Sequence, residues 1–405
     1  MKKLTLLVIL AGLVYTATCQ TETKQAEKLY FEGLELHGQA EAKGNIELDR
    51  KAEILFKKAI ELDSVFVPAL VQLGWIHLLR DQRNFWDENY LDSAFYFANR
   101  ALHFNKESAA VYGLLGMLYQ SKGMHDKALE AFQSALLYNP DESGIYRSLA
   151  GLYFDKGDYL KAIDYSFKQY DTEKNSGDNY WTLNGLFYLL CRTGYIKESN
   201  DFNERLLSLT KDSTAYYNNL IFGNFISGNF DTIIELAKRG LKYDPSNFNC
   251  LNSLGWANLF KDNYTESYHW FNKITEEAKA SGQPVFPNAG HGFACLQKGM
   301  KEEADFHFNG TIQNSIHIID ANYYPEDNLP HLNLAFIYSA RGETEKALEH
   351  LKKNKSTHLQ TVTIIKFNPM LDNIRNEPEF QTILKEVESK YGDVHQRVGK
   401  FLAER

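Results

Sequence analysis

Along most of the chain, apolar residues recur at three- and four-residue intervals, interrupted by glycine or polar pairs, which is the pattern of short amphipathic helices. The clearest stretch lies between residues 112 and 140. Tyr112, Leu115, Gly116 and Tyr119 share one helical face at i, i+3, i+4 and i+7. Gly123 permits a tight turn, and Ala128, Phe132 and Ala135 form the inner stripe of a second helix. Pro140 follows at a point where a helix cannot continue. Gly116 and Ala128 are small, which lets the two helices cross closely.

The same pattern returns 34 residues on: Tyr146, Leu149, Ala150, Tyr153, Gly157 and Ala162 occupy the corresponding positions. It recurs from Tyr217, Leu220, Gly228 and Pro245 to Leu251, Leu254, Asp262 and Lys279. Upstream, Ala52, Phe56 and Ala59, then Gly74, Trp75, Ala94, Ala98 and Ala101 fit, with a lengthened connection at 82–90. Downstream, Gly292, Gly299, Ala304 and Phe308 fit, as do Leu334, Ala335, Tyr338, Gly342 and Ala347. The register is weakest at 180–212, where Ser199 and Asn203 stand in apolar slots.

Residue types and spacing together resemble the tetratricopeptide repeat. The resemblance covers roughly residues 24–361 as about nine repeats and implies an all-α, right-handed solenoid of stacked antiparallel helix pairs. One such pair cannot bury its own apolar face, so a continuous core built by stacking is expected. Beyond it, Pro369, Arg375, Pro378 and Phe380 resemble the closing motif of bacterial tetratricopeptide regions. They lead into an amphipathic helix at 381–391, and residues 362–405 are expected to form a helical cap.

The first nineteen residues read as an export signal: Lys2 and Lys3, an apolar run from Leu4 to Val14, then a small-residue cleavage region. The apolar run is shorter than the ~20 residues that span a bilayer. Two cleavage readings fit. In one, Cys19 becomes a lipidated N-terminal residue, although Thr16 and Thr18 depart from the lipoprotein pattern. In the other, a free periplasmic or secreted chain begins at Gln20. No further domain is expected between this signal and the first repeat.

Composition narrows the function. The formal charge is −8, and no run of Lys/Arg is longer than Lys352-Lys353, so the basic stripe that nucleic acid requires is missing. Cys191, Cys250 and Cys295 form neither a disulfide framework nor a Cys-x-x-Cys metal pair. No zinc-protease, nucleophile-elbow or phosphate-loop motif occurs. His291, within Asn288-Ala289-Gly290-His291-Gly292-Phe293, fills a slot held elsewhere by leucine and reads as structural. Neither enzyme activity, cofactor nor metal is expected.

What remains is a binding surface. By resemblance, first helices line the concave face. On it Asn184, Asn218 and Asn252 lie 34 apart, each followed four residues later by an aromatic: Tyr188, Phe222 and Trp256. Trp181 extends the aromatic set. Amides can donate to and accept from a peptide backbone, and aromatics supply apolar area or stack on sugars. The carboxylate clamp of some tetratricopeptide modules is not expected, because Gly113, Met117, Arg147 and Gly151 offer one cation. The expected function is a scaffold for a protein or peptide segment in a cell-envelope assembly. A glycan or small-ligand receptor is the alternative, and an enzyme with an unrecognised pocket a second one.

Overall fold

A side chain missing from one helix and a ring supplied by the next set the spacing of the helix pairs. The computed structural model describes residues 2–43, 45–83, 89–174, 177, 179–209, 213–320, 329–354 and 358–405, with residues 2–20, 42–43, 81–83, 89 and 213 described in backbone only. The described residues form twenty α-helices and no strand, so the fold is all-α, built of paired helices as expected. The Cys19 side chain and most of the lengthened connection at 82–90 lie outside the described residues.

Backbone contacts divide the chain into two compact units, Met1–Ser148 and Leu149–Arg405. The first contains α1 (Lys2–Lys43), α2 (Ile46–Leu62), α3 (Val67–Arg83), α4 (Asn89–Phe104), α5 (Ala109–Ser121) and α6 (His125–Tyr138). The division falls inside α7 (Ser143–Asp155). The second contains α8 (Tyr159–Glu173), α9 (Tyr180–Arg192), α10 (Ile196–Leu209), α11 (Ser213–Ile226), α12 (Phe230–Gly240), α13 (Phe248–Leu259) and α14 (Tyr264–Ala280). It continues with α15 (Ala289–Gln297), α16 (Lys301–Asp320), α17 (Leu329–Ala340), α18 (Thr344–Lys352), α19 (Leu359–Phe367) and α20 (Pro378–Glu404). Within each unit, first helices pack on their own second helix and on the next first helix, as α3 does on α4 and α5, and α13 on α14 and α15.

The turn and the crossing are linked by a fixed spacing. Gly123, Gly157, Gly194, Gly228, Gly299 and Gly342 adopt left-handed backbone, as does Asp262, with φ 58°. Aspartate tolerates that region because its short side chain can hydrogen-bond locally. Seven residues before each stands the position where the first helix meets its partner: Gly116, Ala150, Phe187, Ile221, Gly255, Gly292 and Ala335. A Cβ at Gly116 would collide with the Phe132 ring; at Gly255 it would lie 2.5 Å from Phe271, and at Gly292 2.8 Å from Phe308. Where the first-helix slot is large, the residue sixteen further on is smaller. Phe187 is matched by Asn203 and Ile221 by Ala237, all buried. This accounts for the weak register at 180–212: the volume has moved from the second helix to the first, and Asn203 Oδ1 accepts from Asn219 Nδ2 at 2.9 Å.

In the first unit a partly buried ionic cluster supplements the apolar contacts. Arg80 on α3 donates to Glu53 on α2 at 2.5 Å and to Asp49 at 3.3 Å. His77, with Lys57 and Arg80, holds the Glu53 carboxyl far below its ordinary range against the opposing effect of burial.

The C-terminal segment covers the last pair and also reaches back along its unit. Phe380 is fully buried beneath the Arg375 guanidinium, and Arg375 donates to the carbonyls of Lys366 and Asn368. The final helix is longer than the expected 381–391: it starts at Pro378, at a position where a missing N–H costs nothing, and continues to Glu404. Its far end binds distant elements. Tyr195 donates to the His395 carbonyl at 2.7 Å, His395 Nδ1 donates to the Thr193 carbonyl at 2.7 Å, and Arg405 covers the Phe167 ring.

These contacts predict opposite outcomes for one chemical change. Gly116→Ala gains helix propensity but drives a methyl into a fully buried ring, and overpacking of that kind costs about 1–3 kcal/mol. A lower Tm is expected, as it is for Ala128→Leu at the other side of the crossing. Gly151, helical and with nothing within 4 Å of its Cβ direction, should instead gain about 0.5–1 kcal/mol as Gly151→Ala. Thermal melts of the three variants check the assignment.

Candidate functional site

Three first helices of the second unit present the amide and aromatic series. Asparagine caps start two of them, α9 and α13: Asn179 accepts from the Trp181 N–H, and Asn247 from the Cys250 N–H. The 34-residue spacing then puts Asn184, Asn218 and Asn252 at equivalent heights, with Tyr188, Phe222 and Trp256 one turn on.

A wall is added by α19. It is nine residues long and rich in β-branched residues (Thr361, Val362, Thr363, Ile364 and Ile365), so it has little intrinsic helix stability and depends on packing. Thr363 Oγ1 donates to the Ile226 carbonyl at the end of α11 at 2.5 Å. Leu359 packs among Phe187, Tyr188 and Phe222, and Phe367 lies against Phe230 and Gly228.

Between this wall, α17 and the three first helices lies a half-enclosed chamber of about 440 Å³. Tyr188, Asn218, Phe222, Asn252 and Trp256 line it, opposite Asn333, Phe336, Gln360 and Asn368. Among the described residues, none that lines it is charged. Tyr188 and Phe222 meet edge-on with centroids 4.6 Å apart. Asn368 is fully buried; its Oδ1 accepts from Met370 N–H at 3.0 Å, whereas its Nδ2 has no hydrogen-bond partner among the described residues.

Two of the expected residues fall outside the chamber. Trp181 is 64% exposed and touches the Tyr180 ring. Asn184 accepts from Asn219 Nδ2 at 3.4 Å, within a chain of side-chain contacts that also includes Tyr188 and Asn203. Asn219, not singled out in the sequence, is the centre of that chain. Trp256 borders the chamber but also belongs to the packing, edge-on to Phe271 at 5.8 Å and in close approach to Gly290.

A larger cleft of about 830 Å³ lies beside α13 and α14, walled by Phe248, Ile274, Pro284 and Phe286. Phe286 is 79% exposed. The sequence signal for this cleft is the apolar run Pro284-Val285-Phe286-Pro287 between two helices. His291 also borders the cleft, and it packs beside Cys295 on α15. Burial holds His291 down at about 3 and pushes the Cys295 thiol up to about 12.

The tetratricopeptide repeat family model matches residues 109–142, which are α5, α6 and their flanking turns. The chain therefore contains a tetratricopeptide repeat at these residues. Among solved structures it is similar to pilF of Pseudomonas aeruginosa, with 14% identity over 57% of this chain and 96% of that one and a TM-score of 0.45. It is also similar to a tetratricopeptide repeat protein of Parabacteroides merdae (18% identity, 62% and 93% covered, TM-score 0.44). A third is YrrB, described as a tetratricopeptide protein with an unusual peptide-binding site (19%, 44% and 91%, 0.35). No curated protein sequence matches the chain.

The chamber wall has a pH-sensitive fastening. His358 starts α19 by accepting from the Thr361 N–H at Nδ1, and its ring packs on Tyr159. Burial, with the Arg192 guanidinium nearby, holds its pKa down at about 3. The unfolded chain takes up this proton below about pH 6.5, so stability is intact above that value and falls as pH drops toward 3. Between pH 7.5 and 5 the loss assignable to His358 is about 1–2 kcal/mol. His358→Asn keeps the capping acceptor without the titration, so its denaturation midpoint should fall less over that interval than the wild type's.

Proposed function

We propose that this chain is a non-catalytic scaffold of the cell envelope that holds a segment of another protein in the α9–α11–α13 chamber. The observation that carries this reading is the unsatisfied Asn368 Nδ2, buried on the wall of a cavity that is otherwise aromatic and amide. A buried donor without a partner costs about 1–3 kcal/mol, which a ligand carbonyl recovers. A peptide supplies carbonyls at every residue, and its apolar side chains suit Tyr188, Phe222 and Trp256. The volume falls within the ~300–1,000 Å³ of ordinary ligand sites, and the described lining, which carries no charge, favours a neutral segment over a charged terminus. A glycan is the second reading, favoured by the clustering of rings and amides in one cavity.

Asn218 is the residue to test, because Cys250 Sγ approaches its side chain only to a long 3.7 Å, whereas truncating Trp256 would open the core. Asn218→Ala should weaken partner capture about thirtyfold, the equivalent of a 2 kcal/mol hot spot. The melt should change by less than ~0.5 kcal/mol. A photo-crosslinking amino acid at position 218 identifies the occupant in the native host. Adducts with a second polypeptide support the scaffold, sugar adducts establish the glycan reading, and adducts obtained only from position 286 move the interface to the apolar cleft.

Export through the N-terminal segment and lipidation at Cys19 belong to the same proposal. They rest on the Lys2-Lys3 start, the apolar run and the small residues before Cys19. Cys19→Ser is expected to release the protein from the membrane fraction or to block maturation. Unchanged membrane association with a mature chain beginning at Gln20 would overturn lipidation.

A further inference from the structure

Apart from the chamber, α15 and α16 gather three side chains that neither the fold nor the proposed scaffold function requires together. His291 and Cys295 are four residues apart on α15 and therefore share a face. Glu303 stands in the first turn of α16. Their ligand-capable atoms all lie within 4.8 Å of one another, with His291 Nε2 3.8 Å from Glu303 Oε1. His291 is 1% exposed and Cys295 fully buried, while the Glu303 side chain is 31% exposed and gives the cluster a route to solvent.

The imidazole is what makes the arrangement more than a coincidence of polar residues. His291 Nε2 is buried and has no hydrogen-bond partner among the described residues. A buried polar atom left in that state is unusual and calls for a specific explanation. The neighbours do not provide one. Phe271 stacks on the ring, and His307, 4.1 Å away between centroids, uses its Nδ1 to accept from the Asn288 N–H.

We propose that His291 Nε2, Cys295 Sγ and the Glu303 carboxylate bind one borderline-soft divalent transition ion, Zn2+ by chemical class, with a fourth position open to water. Nitrogen, sulfur and oxygen donors together fit Zn2+ rather than Mg2+ or Ca2+, which take oxygen alone. Zn–N and Zn–O bonds of about 2.0–2.2 Å in a tetrahedron put those donors about 3.3 Å apart. The 3.8 Å His291–Glu303 separation closes to that value with a side-chain shift of under an ångström. On binding, the Cys295 thiol proton is released to solvent, and thiolate and carboxylate neutralise the ion's charge. The ion then ties a first helix to its second helix, in the repeat beside the apolar cleft.

Co2+ titration of the purified full chain, stripped with chelator and kept in a phosphine reductant, tests the site. One equivalent should produce a thiolate-to-cobalt charge-transfer band in the near ultraviolet and visible bands of four-coordinate intensity, both removed by Zn2+. Cys295→Ser should abolish the charge-transfer band, and Cys250→Ala, which removes a buried thiol elsewhere, should leave it. Glu303→Gln, whose partial exposure spares the fold, should retain a thiolate band while weakening Zn2+ affinity by at least about tenfold, since even outer-shell changes cost ~10–100-fold. No charge-transfer band in the wild type, a band that survives Cys295→Ser, or unchanged affinity in Glu303→Gln would each overturn the proposal.

Discussion

Two helices can approach closely only where one of them gives up its side chain, and in this chain the sacrifice is matched by a ring from the other. Gly116, Gly255 and Gly292 each receive a phenylalanine sixteen residues later, and the rings of Phe132, Phe271 and Phe308 are almost wholly enclosed. Protein interiors tolerate neither voids nor excess volume, so the sum of the two residues is constrained more tightly than either one. Phe187 with Asn203 and Ile221 with Ala237 satisfy the same sum in the opposite order. The crossing then fixes the rotation of each first helix. In α9, α11 and α13 the residue three before the slot is asparagine in every case, because Asn184, Asn218 and Asn252 precede Phe187, Ile221 and Gly255. The amide series is thus a consequence of the packing register rather than an independent pattern.

That link explains which features could be read from residues alone. The helix pairs and their turns depend on neighbours within one repeat, so spacing suffices to find them, and Asp262 is recognisable as a turn residue because it occupies the place of Gly228. The chamber is only half legible. Tyr188, Asn218, Phe222, Asn252 and Trp256 follow from the 34-residue arithmetic, but the wall opposite comes from α17 and α19, more than a hundred residues away in sequence for α9. Nothing in the composition of α19 announces a helix, since its run of β-branched residues would suit a strand equally well. The reach of α20 to Thr193 and Tyr195 is similarly invisible to periodicity, which reports a buried face without saying what buries it. Trp181 illustrates the converse: it shares the aromatic character of the series, but its place at the first turn of α9 leaves it in solvent.

His291 shows how a correct assignment of position can miss chemistry. The slot held by leucine in other repeats predicts burial, and His291 is buried. Burial of an imidazole beside Cys295 and Glu303 nevertheless creates a donor set that a leucine could not. The i, i+4 relation of His291 to Cys295 is present in the sequence, whereas the approach of Glu303 depends on the α15–α16 turn around Gly299, and only that third side chain turns a helix-face pair into a cluster.

The placement of α19 also limits how the second unit can bind. An extended peptide running along α9, α11 and α13 would have to displace α19, and binding to a state that is rarely open is weakened by its population. If docking of α19 is favoured by about 3 kcal/mol, the apparent affinity of such a peptide falls roughly 150-fold. A short segment or single side chain entering the chamber meets no such penalty, because Gln360 and Asn368 already form part of the wall it contacts. The same helix that obstructs a long peptide therefore completes a site for a small one. Its weak intrinsic helicity also means that contacts made to it by a ligand would stabilise α19 in place, so occupancy of the chamber and closure of the C-terminal segment are expected to reinforce each other.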